Sequence, residues 1–325
     1  MSLGSLILNS MKDSPLVTIG IPTCKRPRLL ARALKSIAEQ TYQPLEVCVA
    51  DNATPGRDNE EVVCSFRASI PGLIYKKHLQ DIGQMGNHLY CLEQAKGEFF
   101  MWLCDDDALS PLYIEAAVAT LFDHPEASFS ALTFFDAVRA RKIPPRGYME
   151  NTGFQRVLAF LVEDLGIGER LWEEGWARRF NWLYGLHRTG PLRKSIKKVL
   201  NTYQFWWPNE EWEAGLDDLI LMDLLLMGKV APVTNTEAQY IYFRNTEKYY
   251  AGPRGSSFFV NQINKLRYMY YRTNVHWIHV RQIYEQEGFF PSILFAFLSI
   301  IHLIQDFFVA LYEQIGARLK KYCHS

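Results

Sequence analysis

DIGQMGNHLYCLEQAKGEFFMWLCDDD, residues 81–107, runs from a helix-like segment into a buried strand and ends in three adjacent carboxylates. Gly86–Ala95 reads as a helix. Glu98–Leu103 carries the unbroken apolar run Phe99-Phe100-Met101-Trp102-Leu103, which fits a strand covered on both faces. Asp105-Asp106-Asp107 stands where that strand ends. The same alternation holds upstream. Leu16–Ile21 is an expected strand ended by Pro22, and a helix with apolar Leu29, Leu30, Ala33, Leu34 and Ile37 follows it. Leu45–Ala50 is the next strand, ending at Asp51-Asn52, and Leu73–Lys77 the third; downstream, Pro111 opens a helix through about Phe122. Short apolar runs alternating with helical segments predict an α/β fold, a mostly parallel sheet flanked by helices.

Beyond about residue 130 the alternation weakens. Ser128–Phe135 and Asn181–His187 read as strands, and Leu216–Met227 as a helix stopped by Gly228. Residues 136–180 and 245–260 read as loops or irregular helices, and from Phe258 the chain looks helical. At ~150 residues per domain, 325 residues make roughly two domains. The expected division is 12–245 for the α/β domain and 246–325 for a helical C-terminal extension.

Composition narrows the function. Lys+Arg and Asp+Glu both number 35, so the formal net charge is zero, without the broad basic footprint of a nucleic-acid binder. Hydrophobic residues make up 48%, ample for a full core. The six cysteines form no C-x-x-C pair and read as reduced thiols of a cytosolic protein; Met1–Asn9 lacks the basic start of a secretory signal. Phosphate-binding loop, zinc, dinucleotide and G-x-S-x-G patterns are absent.

In an open parallel sheet, ligands bind beyond the carboxyl ends of the strands. Asp51 and Asp105–Asp107 fall at such ends. Three adjacent carboxylates are costly unless solvated, paired or holding a cation. Mg²⁺ or Mn²⁺ takes oxygen ligands and keeps substrate phosphates as partners, so the cluster suggests a metal–diphosphate site. A solvated helix N-terminus, where the dipole favours Asp, is the alternative.

Four segments in order, VTIGIPTCKRP (17–27), EVCVADNAT (46–54), the stretch 81–107 and GLDDLILMDLLLMGKV (215–230), resemble family 2 glycosyltransferases with the Rossmann-like GT-A fold. The resemblance spans roughly Leu16–Val233. It implies inverting transfer of a sugar from a nucleotide diphosphate sugar to a saccharide or lipid-linked saccharide acceptor, with Mn²⁺ or Mg²⁺. Pro22, Thr23 and Arg26 then match the loop along the nucleotide. Asp51, with Asn52 beside it, matches the acid that receives base and ribose; Gly83 and Asn87 match the G-x-x-x-N stretch lining the donor. Asp105, Asp106 and Asp107 match the metal-binding D-x-D. Cys104 replaces the first Asp of the commonest pattern, so the register stays open by one residue, with Asp106 the usual ligand in one reading and Asp107 in the other, and all three acids are candidate ligands.

Inversion in one displacement needs a base opposite the leaving diphosphate. Asp217-Asp218 matches the family's Glu-Asp pair, with Asp218 as the base; an acidic helix start is the bland alternative. The family's Tyr-Arg-x-His stretch keeps Arg244 here but has Thr246 at the His position, with Lys248 or Arg254 as candidate substitutes. Trp206, Trp207 and Trp212 offer aromatic faces to a saccharide acceptor, although such stretches more often anchor a core or loop. The basic clusters Arg139, Arg141, Lys142, Arg146 and Arg188, Arg193, Lys194, Lys197, Lys198 read as solvated faces or, near a membrane, as contacts for anionic lipid or a diphosphate.

Phe289–Ile304 runs sixteen residues without a charge, and Phe307–Tyr312 continues it after Gln305-Asp306. Ser292, Ser299, His302, Asp306 and Glu313 form a narrow polar stripe. The break disfavours a spanning helix. An interfacial helix, with Arg318, Lys320 and Lys321 near anionic lipid, is expected through 289–321; packing on its own domain or in a homo-oligomer is the other reading. The location implied is cytoplasmic, peripheral on the inner face of the plasma membrane. Two other functions compete: a nucleotidyltransferase-like enzyme, which predicts a Gly-rich triphosphate loop that PTCKRPRLL lacks, and a non-catalytic, membrane-recruited carbohydrate-binding protein.

Overall fold

The computed structural model describes residues 14–145, 153, 155–156, 183–206 and 216–243, and parts of 280–300. The chain divides into two compact units, Met1–Arg156 with Gly166–Thr246, and Val157–Leu165 with Glu247–Ser325.

In the first unit the chain runs β1 (Val17–Thr23), α1 (Pro27–Ala38), β2 (Leu45–Asp51), α2 (Asp58–Phe66), β3 (Leu73–Lys77), α3 (Gly83–Gln94) and β4 (Phe99–Trp102). The short β5 (Ala108–Leu109) leads to α4 (Tyr113–Asp123), β6 (Ala127–Ala131), β7 (Thr133–Asp136) and β8 (Arg141–Ile143). Then come β9 (Leu186–Arg188), α5 (Thr189–Trp206), α6 (Leu216–Met227), β10 (Lys229–Pro232) and β11 (Gln239–Tyr242). Among the described residues the main sheet has seven strands in the order β10-β6-β9-β4-β1-β2-β3, and a four-stranded sheet follows the order β5-β11-β7-β8. β1, β2, β3 and β4 run parallel, as do β6 and β10; β9 lies antiparallel between β4 and β6.

Burial on both faces explains the apolar runs. Every residue of β1, β2 and β4 is buried, the pattern of a sheet sandwiched by helices. α1 starts with Pro27 in its first turn and buries Leu30, Ala33, Leu34 and Ile37 at helical spacing. α3 crosses β1 so closely that a Cβ on Gly20 would lie 2.6 Å from the Cys91 Cβ. Gly20 is therefore a packing requirement.

The structure corrects several boundaries. Ser128–Phe135, expected as one strand, is two: β6 joins the main sheet and β7 the second, on either side of buried Leu132. A continuous apolar run has no period that marks where a chain changes sheets. Among the described residues of the expected strand Asn181–His187, which begin at Leu183, only Leu186 and His187 are in a strand, and Tyr184 is a buried turn residue. α2 and α5 were not foreseen. In α5, buried Leu192, Ile196 and Val199 lie among the basic residues that read as a charge cluster. Those cations hold the fold. Arg188 donates to the Leu121 and Ala127 carbonyls, and Arg193 to those of Leu92 and Ala95 past α3. The Lys198 ammonium lies 2.6 Å from buried Asp223 of α6.

In the second unit, Phe289, Phe290, Ile293, Leu294, Phe297 and Ile300 are exposed, Phe290 by 82%, while Ser292 of the polar stripe is buried. Among the described residues no helix is long and apolar enough to cross a membrane.

A candidate active site at the carboxyl ends of β1, β2 and β4

The strand order reverses between β1 and β4: the chain adds β2 and β3 on one side of β1, then returns to the other. A crevice opens at such a switch point, because the loops leaving the two strands diverge. The expected residues converge on it. Thr23 ends β1, Asp51 ends β2, and Cys104–Asp107 follow β4.

The three carboxylates separate by partner. Asp105 turns toward the β1–α1 loop: the Thr23 hydroxyl donates to its Oδ2 at 2.7 Å, and Arg26 Nη1 lies 3.0 Å from its Oδ1. Asp107 turns toward β11, where the Tyr240 hydroxyl donates to Oδ2 at 2.9 Å and the Phe243 N–H to Oδ1 at 3.0 Å. Asp106, between them, is the more open, with Arg26 Nη1 3.4 Å from its Oδ2. Burial pushes the Asp105 carboxyl up to about 6 against the pull of Arg26 and Thr23. It pushes Asp107 up to about 8, assisted by the negative charge of Asp106. Burial likewise raises the Cys104 thiol well above its ordinary value.

Cys104, Asp106 and Asp107 each offer a ligand atom, all within 4.8 Å of one another. One cation spans such a set at metal–ligand distances of about 2.0–2.6 Å. The donor chemistry fits: a carboxyl that resists ionisation because it is buried beside another acid is stabilised as an anion by a dication. Asp105 stands outside this group.

At the end of β2 the crevice is organised by Asp51, which is buried. Its Oδ1 accepts the Thr54 N–H at 3.1 Å and its Oδ2 the Tyr75 hydroxyl at 2.7 Å, so any further donor meets the remaining lone pairs. Asn52 donates through Nδ2 to Asp81 Oδ1 at 2.6 Å and accepts the Ile82 N–H at 2.9 Å. Gly83, with φ of +76°, donates its N–H back to Asp81 at 2.8 Å and opens α3. These two bonds, the Gly83 one foremost, hold the Asp81 carboxyl below the usual range. Asn87, buried on α3, donates to the Ala50 carbonyl at 2.9 Å, tying the helix to the end of β2. Pro22 is a buried residue of β1, next to Thr23.

Other expected residues are described in part or not at all. Asp217 and Asp218 fall in the first turn of α6, with their side chains outside what the structure describes. Trp206 ends α5, its side chain likewise undescribed. Trp207, Trp212, Arg244, Thr246, Lys248 and Arg254 lie outside the described residues. Sequence reasoning missed Tyr240, Tyr75, Asp81 and Arg32. Arg32 donates to the Asp106 carbonyl, and its guanidinium lies 3.8 Å from the Phe243 ring centroid. Asp81 had a local signal, an Asp two residues before a Gly. Tyr240 had none, since its contact with Asp107 spans 133 residues.

A mainly parallel sheet with an acid-lined crevice at its switch point defines an α/β domain whose ligand site lies at the carboxyl ends of the strands. Residues 18–168 match the Glycosyl transferase family 2. Over 119 residues the chain is 31% identical to the GalNAc(5)-diNAcBac-PP-undecaprenol beta-1,3-glucosyltransferase of Campylobacter jejuni, which covers 36% of each chain. Over 102 residues it is 28% identical to the putative colanic acid biosynthesis glycosyl transferase WcaA of Escherichia coli, covering 31% of this chain and 36% of that one. The matches thus span about a third of these relatives' lengths. In fold the chain is similar to S. aureus TarS 1-349 in complex with UDP-GlcNAc, with a TM-score of 0.54 and 14% identity over 89% of this chain and 81% of that one. Residues 18–168 thus carry the match to family 2 glycosyltransferases, and the fold is that of the GT-A enzymes.

Proposed function

We propose that this chain transfers a sugar, with inversion, from a nucleotide diphosphate sugar to a saccharide or lipid-linked saccharide acceptor. The observation that carries the reading is the convergence of Thr23, Asp51 and Cys104–Asp107 on one switch-point crevice. The family match and the GT-A fold support it.

In this reading Asp51, Asn52, Gly83 and Asn87 shape the base and ribose end. Pro22, Thr23 and Arg26 line the diphosphate, and Arg244 would contact it. Asp106 and Asp107 would hold a divalent cation, Mn²⁺ or Mg²⁺, which supplies charge neutralisation to the leaving diphosphate. Asp105 positions Thr23 and Arg26. Tyr240 and the Phe243 N–H orient the Asp107 carboxylate, and Arg32 fixes the Asp106 carbonyl. Asp218, with Asp217 beside it in the first turn of α6, takes the acceptor hydroxyl proton. Trp206, Trp207 and Trp212, just before α6, guide the acceptor. The exposed apolar side chains of 289–300 support contact with a membrane that carries a lipid-linked acceptor, on its cytoplasmic face.

The test is nucleotide release from UDP-, GDP- and dTDP-sugars with Mn²⁺ or EDTA, alongside direct donor binding. Asp218→Asn should lower transfer by about 10²–10⁴-fold with donor binding retained. Loss of donor binding instead would reassign Asp218, and failure of every donor to bind would overturn the reading.

A further inference from the structure

Arg26 is shared between the part of the crevice that fits a cation and the loop that faces the diphosphate. One nitrogen, Nη1, lies 3.0 Å from Asp105 and 3.4 Å from Asp106. Asp106 also belongs to the group with Cys104 and Asp107 that one cation could span. Asp105 keeps a second anchor in Thr23, and Asp107 has Tyr240 and Phe243. The Asp106 contact is the longer of the two, and the Arg26 and Asp106 side chains each retain 20% exposure. It is therefore the contact most easily exchanged.

We propose that Arg26 is a place-holder for the cation, neutralising Asp105 and Asp106 until a divalent cation takes Asp106 and then moving to the donor diphosphate. A guanidinium and a dication repel one another across a shared carboxylate, so one must yield. The released guanidinium has the planar fork that pairs with phosphate oxygens. Cation and nucleotide then bind synergistically: each raises the other's affinity by the same factor, because each completes the exchange the other begins. The inference rests on the sugar-transfer reading and concerns how the two ligands of that site are coupled.

The experiment measures Mn²⁺ binding by electron paramagnetic resonance, alone and with saturating UDP, GDP or dTDP, together with nucleotide binding by calorimetry. Wild type should bind Mn²⁺ at least about tenfold more tightly with its nucleotide than without. Arg26→Gln should bind Mn²⁺ alone about tenfold more tightly than wild type, bind nucleotide more weakly, and show a coupling factor about tenfold smaller than wild type, the remainder coming from the cation's own contact with phosphate oxygens. Arg26→Lys keeps the charge but not the fork, so it should shift in the same direction by less. Arg28→Gln removes a nearby exposed charge and should leave the coupling unchanged. If Arg26→Gln tightens Mn²⁺ equally with and without nucleotide, Arg26 acts only through its field and the place-holder is refuted. Unchanged or weaker Mn²⁺ binding in that variant refutes it as well. A wild type that binds neither Mn²⁺ nor any of the three nucleotides overturns the sugar-transfer reading itself, and the inference with it.

Discussion

Replacing Asp107 by Asn should make the metal-free protein less sensitive to alkali and abolish its stabilisation by Mn²⁺. In the folded protein the Asp107 carboxyl titrates at about 8, against 3.8 ordinarily, chiefly because it is buried. Below pH 4 it is neutral in both folded and unfolded chains and sets no pH slope. Between about pH 4 and 8 the unfolded chain ionises it and the folded chain does not, so stability falls as pH rises. Above 8 the effect is complete. At about 1.4 kcal/mol per unit, the span amounts to on the order of 5 kcal/mol. The amide of the Asp107→Asn variant cannot ionise, so this slope disappears. That amide keeps one acceptor and can donate to the Tyr240 oxygen, at a cost of about 1–3 kcal/mol for imperfect pairing. In EDTA the variant should be less stable than wild type below pH 4, about equal to it near pH 5.5, where the wild type has already lost about 2 kcal/mol, and the more stable at pH 8.5. Mn²⁺ should raise the wild-type melting temperature more at pH 8.5 than at pH 5.5, since proton and cation compete for one carboxylate. Thermal melts at three pH values, with EDTA or Mn²⁺, read all of this. Parallel melting curves for variant and wild type across pH, or a full Mn²⁺ shift in the variant, would refute the reasoning.

Two substitutions test the scaffold. Gly20→Ala drives a methyl to 2.6 Å from the Cys91 Cβ and 3.1 Å from the Phe100 ring, so chemical denaturation should show a loss of about 1–3 kcal/mol; a neutral result would mean α3 can lift off β1 without cost. Lys198→Met strands the fully buried Asp223 carboxylate and should cost about 3 kcal/mol, most of it recovered in Lys198→Met/Asp223→Leu; an equally unstable double variant would show that the pair is not what joins α5 to α6.

The α/β class was legible because β1, β2 and β4 are buried on both faces and so must be written as apolar runs, whatever lies beyond them in the chain. The carboxylates at 51 and 105–107 were legible for a related reason: an acid next to a buried strand can sit only at its end. The partners supplied by distant elements were not. Tyr240 and Arg32 reach the acid cluster only because β11 and α1 are brought beside it, and nothing local to either marks them. The α5 helix was hidden by its own function, since cations that cap α3 and hold Asp223 look in sequence like a solvated patch.

Sequence by itself determined the sheet, the acids at its strand ends, the neutral charge balance and the apolar C-terminal run, because each follows from local composition and period. Tertiary structure decided which acid faces which partner. Asp105, Asp106 and Asp107 are chemically identical neighbours, yet one is turned to Thr23 and Arg26, one left half-open and one closed under Tyr240. That difference arises from direction in space, which a string of three identical letters does not contain.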